Sequence, residues 1–156
     1  MSLPKILPAL AALALLTACG QEPETAAATG AGGASAIVPG SQEDLRVNVG
    51  DRVFFDFDSA VVRADQRPVL ERQARWMQQH AQVQVIIEGH ADERGTREYN
   101  LALGQRRANA ARDILVANGV SPARIQTISY GKDRPEALGS DETAWAQNRR
   151  AVTVVR

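Results

Sequence analysis

One cysteine, two histidines, two tryptophans, two tyrosines and three phenylalanines are spread over 156 residues. A single cysteine cannot close an internal disulfide, so the fold must be held by packing. The histidines, at positions 80 and 90, come with no HExxH motif and no ligand-spaced cysteine pair. A stable metal site wants about three or four ligands, and no metal and no cofactor is implied. There is no GxSxG, and the lone cysteine lies near the start of the chain, which argues against nucleophilic hydrolysis. Charge of one sign is missing as well. Lysine plus arginine and aspartate plus glutamate both total 18. Near-neutrality argues against a dedicated nucleic-acid binder, which shows a basic excess or stripe. No fixed-period repeat appears.

The chain does have a strongly patterned start. Lys5 is followed by a run of Leu, Ala and Ile from Ile6 to Leu16, the length of a signal-peptide h-region and too short for a permanent span. The run ends in Leu16-Thr17-Ala18-Cys19, which resembles the lipobox of bacterial lipoproteins. Residues 1–18 are therefore expected to be a cleaved signal, and Cys19 the acylated lipid anchor. More than one acyl chain, at about 0.8 kcal/mol per buried methylene, holds a membrane durably. Gly20 stands where aspartate is associated with inner-membrane retention, so the outer membrane is expected, with the domain facing the periplasm. From Cys19 to Gln42 the composition is Ala, Gly, Thr and Ser with almost no large side chain, and it reads as a flexible tether.

Residues 43–156 then make one domain, with 17 basic and 16 acidic side chains. A first strand is expected in 48–59, with Val53, Phe55 and Phe57 on one face. The next stretch turns helical, with Asp65 as N-cap, Pro68 harmless in the first turn, and Leu70, Ala74 and Met77 as the buried stripe. Residues 83–89 read as a central strand, because Ile86 and Ile87 are consecutive. A longer helix is expected from Arg97 to Asn118, capped by Thr96, stopped by Gly119, and apolar along Leu101, Ala108, Ala111 and Leu115. A short turn at Ser121-Pro122, a strand at 124–131, a brief helix and a strand from Ala151 to Val155 complete the chain. The order β-α-β-α-β-(α)-β predicts an α/β (α+β) sandwich: one mixed sheet of about four strands with its helices on one face.

The segment 88–100, "EGHADERGTREYN", puts a polar cluster directly after the central strand. A catalytic carboxylate pair drawn from Asp56, Asp58, Asp92 and Glu93 would need one carboxyl in an apolar pocket, and here the carboxylates stand among arginines. Binding fits better. Asn100, Leu103 and Arg107 are spaced to share one helical face. If the loop folds back over that helix, Asp92 and Arg107 flank a small cavity suited to a zwitterion. Spacing alone also allows a plain surface bridge between them, worth under about 1 kcal/mol.

The stretch "EGHADERGTREYNLALGQRRA" (88–108), together with "FFDFDSA" (54–60) and "NRRAVTVV" (148–155), resembles OmpA-like peptidoglycan-binding domains over residues 50–156. That resemblance implies non-catalytic capture of peptidoglycan through the diaminopimelate residue of its stem peptide. By the same resemblance Asp92 and Arg107 hold the amino acid, Asn100 and Leu103 shape the wall, and Phe57, Asp58 and Arg94 form the rim. Asn148, Arg149 and Arg150 are left outside this core, as ties between the last helix and its strand. With the lipobox and linker in front, the same resemblance implies TolB and other Tol proteins as partners, with TolB covering part of the peptidoglycan site. Remaining alternatives are a family lipoprotein anchor outside the Tol system and a wall-cleaving hydrolase. Replacing Asp92 or Arg107 by alanine is expected to cost roughly 2–4 kcal/mol of ligand affinity with folding largely intact.

Overall fold

The computed structural model describes residues 37–156; the signal-like segment, Cys19 and the tether as far as position 36 lie outside the described residues. Among the described residues, no helix is long and apolar enough to cross a membrane. The first element of the described residues is a short turn, α1 (Gln42–Asp44), capped by the Ser41 side chain and continued as a π-helical stretch, Leu45–Val49. Asn48, Trp76 and the Gly40 N–H all donate to the buried Asp44 carboxylate, and these bonds hold its pKa down at about 2. The Gln42 side chain donates to the Thr153 carbonyl and accepts from the Val155 N–H. Packing onto the domain thus begins a few residues ahead of position 43.

β1 (Arg52–Phe54), α2 (Arg67–Gln79), β2 (Val85–His90), α3 (Arg97–Ala117), a 3-10 turn (Pro122–Arg124), β3 (Ile125–Gly131), α4 (Glu142–Asn148) and β4 (Arg150–Val155) follow. The strands form one sheet in the order β1-β4-β2-β3. β2 and β3 run parallel, while β4 is antiparallel to both β1 and β2, so the sheet is mixed, as expected. Val53, Val85, Ile87, Ala151 and Thr153 are buried on the face that carries the helices. The alternate residues Ile86, Glu88, Val152 and Val154 are only half-buried, which marks the other face as open.

Leu70, Ala74 and Met77 are the buried stripe of α2, joined by Gln73 and Trp76. Gln73 is tolerated there because its amide donates to the Gly50 carbonyl and accepts from the Thr153 hydroxyl. Asp65 is not the N-cap. The helix starts after Gln66, and the Asp65 carboxylate is taken instead by Arg63 and the Gln66 amide. α3 is capped by Thr96, which accepts from the Tyr99 N–H, and it ends ahead of Gly119 at φ +90°. Leu101 is only half-buried. The buried face runs instead through Leu103, Gly104, Arg107, Ala108, Ala111 and Leu115.

One departure from expectation and one close contact shape the molecule's polar end. The first strand stops at Phe54: Phe55 is still buried, but Phe57 is 60% exposed and Asp58 sits at φ +53°. The chain leaves the sheet here because the carbonyls of Asp56 and Ser59 have another donor, the guanidinium of Arg107. The close contact is between α3 and β2, and it is backbone against backbone. A Cβ on Gly89 would lie 1.8 Å from the Gly104 carbonyl oxygen. No side chain fits at that crossing, so the helix lies low on the strand and carries Arg107, one turn on, beneath the end of β2.

Candidate functional site

β2 ends at His90 and hands the chain to the loop at 91–96. The Asp92 carboxylate is only 5% exposed. It accepts from the Arg94 main-chain N–H at 3.1 Å and from the Arg94 guanidinium at both oxygens, 3.1 Å to Oδ1 and 2.6 Å to Oδ2. Arg149 Nη1 approaches Oδ2 at 3.5 Å. Burial acts to raise the Asp92 pKa, but the Arg94 hydrogen bonds and the Arg149 charge outweigh it and hold the carboxyl below its usual range. It is an anion at neutral pH.

Arg107 is fully buried, and its guanidinium reaches three main-chain carbonyls: Nε to Ser59 at 2.8 Å, Nη1 to His90 at 2.8 Å and Nη2 to Asp56 at 3.1 Å. Its charge also lies 5.2 Å from the centre of the Phe55 ring. Burial pushes its pKa down to about 10, with Asp92 acting in the opposite direction, so it stays a cation. Every hydrogen bond of Arg107 goes to a carbonyl, and the plain bridge to Asp92 does not form. Because Arg107 joins the β1–α2 loop to the end of β2, its removal is expected to cost stability as well as binding, unlike the expectation from sequence alone.

The two charges share one cavity of about 160 Å³. All seven residues singled out from the sequence line it: Phe57, Asp58, Asp92, Arg94, Asn100, Leu103 and Arg107. Asn100, buried on the first turn of α3, donates to the Arg94 carbonyl at 2.8 Å and pins the loop to the helix. Gly95 and Tyr99 line the cavity as well, and the Tyr99 hydroxyl donates to the Asp58 carboxylate. Both lie inside the motif and were reachable by asking what stands between Asp92 and Asn100.

Trp145 had no such signal, and Arg149, which the closing motif does contain, was expected only as a tie between the last helix and its strand; α4 and its C-cap bring both from some fifty positions away. Arg94 lies between two rings, its guanidinium carbon 4.0 Å from the centre of Phe57 and 4.0 Å from that of Trp145. Arg149 is fixed by the Phe55 carbonyl and by Glu142. The rest of the motif turns elsewhere. Arg97 pairs with Asp133, Glu93 accepts from the Trp145 indole, and Glu98 is exposed. His90 contributes only its carbonyl. Its ring is buried with neither nitrogen hydrogen-bonded, and burial, then Arg150 and Arg134, push its pKa down to about 4.

Chemically, the cavity is lined by four charged side chains, of which one anion, Asp92, and one cation, Arg107, are buried and held by other groups. A guanidinium has about five N–H donors. With three of them on carbonyls, Arg107 keeps donors for a ligand carboxylate. The carboxyl of Asp92 is shifted downward, the wrong direction for a general acid at neutral pH. Among the described residues, no group of three or more His, Cys, Asp or Glu side chains is placed to hold a metal ion.

Comparison with known proteins gives this architecture relatives. The family model described as "OmpA family" matches residues 54–149. A peptidoglycan-associated lipoprotein of Mesorhizobium japonicum is 55% identical over 149 residues, 94% of this chain and 89% of that protein. Its counterpart in Brucella melitensis is 60% identical over 123 residues, 79% of this chain and 73% of its own length. The crystal structure of the peptidoglycan-associated lipoprotein from Burkholderia pseudomallei superposes with a TM-score of 0.66 at 48% identity, over 68% of this chain and 90% of that one. The C-terminal domain of Helicobacter pylori MotB, at 23% identity and a TM-score of 0.64 over 68% of this chain and 84% of that one, shares the fold. The chain belongs to the OmpA family and, within it, to the peptidoglycan-associated lipoproteins.

Proposed function

We propose that the cavity binds peptidoglycan without cleaving it, by taking the side-chain end of diaminopimelate in the stem peptide. On this reading the ligand ammonium goes to Asp92 and its carboxylate to Arg107, with Asn100 and Leu103 as wall and Phe57, Asp58 and Arg94 as rim. One observation carries the reading. A buried carboxylate and a buried guanidinium line the same small cavity, and each is held by other groups rather than by its opposite. A dipolar ligand can meet both charges, and a singly charged one can meet only one of them. The names of the relatives, peptidoglycan-associated lipoproteins, point to the same polymer.

The remainder of the reading follows from family and sequence. Cys19 is the acylated anchor in the outer membrane, the residues after it are the tether, and the domain faces the periplasm. The protein ties outer membrane to wall within a Tol–Pal system that serves envelope integrity and cell division. TolB and other Tol proteins are its partners, and TolB competes with the wall for the rim.

The test is sedimentation of the full-length chain with purified sacculi. Asp92→Ala is expected to weaken retention by about 2–4 kcal/mol, a loss of roughly 30- to 1,000-fold. Unimpaired retention of this variant would contradict the site. Soluble muropeptides released by the wild-type chain would contradict the absence of catalysis. Failure of added TolB to displace the chain from sacculi would remove the Tol–Pal part alone.

A further inference from the structure

The Asp92 carboxylate is already engaged by a side chain of its own loop. The Arg94 guanidinium forks onto both carboxylate oxygens, at 3.1 and 2.6 Å, which are the atoms a ligand ammonium needs. The same guanidinium is sandwiched between Phe57 and Trp145, each ring centre 4.0 Å away, and Trp145 is steadied by its indole N–H on Glu93 at 3.0 Å. A second cation stands behind the carboxylate. Arg149 Nη1 lies 3.5 Å from Oδ2, is buried, and has no hydrogen-bond partner.

The two arginines differ in their freedom. The Arg149 side chain is 7% exposed and anchored at Phe55 and Glu142, whereas that of Arg94 is 32% exposed on a loop. Only Arg94 can leave without opening the core.

We propose that Arg94 is a self-supplied plug. It occupies the ammonium position on Asp92 until a ligand displaces it, while Arg149 stays behind and keeps the carboxylate in place. This rests on the proposed peptidoglycan reading and changes the part Arg94 plays in it, from a contact on the rim to a competitor for the ammonium position. The plugged state lowers apparent affinity in proportion to its population, because only the unplugged fraction accepts the ammonium. It also keeps a buried carboxylate from standing unpaired when the cavity is empty. A ligand that lacks an ammonium does not need the exchange and gains nothing from it.

The experiment measures binding of meso-diaminopimelate and of pimelate, which lacks the ammonium groups, to the full-length chain by titration calorimetry, with sacculus sedimentation alongside. Arg94→Gln is expected to bind diaminopimelate about three- to tenfold more tightly than wild type, with no gain for pimelate. Arg97→Gln removes the same charge from the neighbouring exposed pair with Asp133 and is expected to change neither. Arg94→Lys keeps the charge but not the fork and is expected to gain in the same direction by less, so it carries the test if the glutamine variant does not fold. Equal or weaker binding by the folded Arg94 variants overturns the plug and leaves the peptidoglycan reading standing, as does an equal gain in Arg97→Gln. Failure of the wild-type chain to bind either diaminopimelate or sacculi overturns that reading, and the plug with it.

Discussion

Replacing Arg107 by alanine tests whether the buried cation is part of the framework. Three carbonyls, those of Ser59, His90 and Asp56, lose their donor at once. A hydrogen bond from a charged donor contributes about 1.5 kcal/mol or more, so the gross loss is roughly 4–5 kcal/mol. Two terms reduce it. The cavity beside Arg107 lets water reach part of the vacated space, and the variant no longer has to bury a guanidinium whose pKa burial has already lowered to about 10. About 2–4 kcal/mol remains, which for a domain of roughly this size lowers Tm by some 8–20 °C. Urea titration followed by circular dichroism is the direct measurement, with Arg107→Lys beside it. Lysine keeps the charge but cannot fan planar donors toward three carbonyls, so it is expected to recover only part of the loss. A midpoint for Arg107→Ala that matches wild type would refute the reasoning. It would mean that the β1–α2 loop and the end of β2 hold together without the side chain that bridges them.

A second substitution probes the crossing that places this arginine. Gly89→Ala puts a methyl 1.8 Å from a main-chain oxygen that cannot rotate away, so α3 has to lift off β2. A loss of about 3 kcal/mol or more is expected, together with loss of sacculus binding, and a variant that melts and binds as wild type would contradict the close approach. A third prediction concerns acid. His90 has a folded-state pKa of about 4, below its value of about 6.5 in the unfolded chain, so the unfolded chain binds the extra proton between those values. Stability from this residue is therefore complete above about pH 6.5 and is lost as pH falls toward 4, by about 2–3 kcal/mol. Urea midpoints at pH 7, 5.5 and 4 are expected to fall less steeply in His90→Phe than in wild type, and parallel slopes would refute the assignment.

The elements that were legible in the sequence are those whose signals are local. Ile86 beside Ile87 marked the central strand, Thr96 and Gly119 bracketed α3, and Leu70, Ala74 and Met77 gave the buried stripe of α2. The misses have different causes. Phe57 continues the alternation of Val53 and Phe55, yet it is exposed, because the neighbouring carbonyls are claimed by a side chain about fifty positions away. Asp65 has the right chemistry for an N-cap but has Arg63 two residues before it, and the ion pair prevails. The grouping of Asp92 with Arg107 followed from loop and helix spacing. The approach of Trp145 did not, and Arg149 was read only as a tie to the last strand, because nothing within α4 says which loop it will face.

What spacing could not decide is whether Asp92 and Arg107 would pair, and the structure shows how pairing is prevented. A carboxylate and a guanidinium left free in a small cavity would close on each other and leave nothing for a dipolar ligand. Here the guanidinium is fixed by carbonyls from two separate segments, so moving it toward Asp92 would break bonds at both. The carboxylate is held by a different arginine, one that stands on a loop between two rings and is a third exposed. The asymmetry has a physical sense. A cation bonded to three buried carbonyls cannot be exchanged cheaply, whereas a salt bridge within reach of water is worth little and can be traded for an equivalent one. If the cavity takes a zwitterion, its carboxylate meets a charge already in position and its ammonium replaces one that can leave.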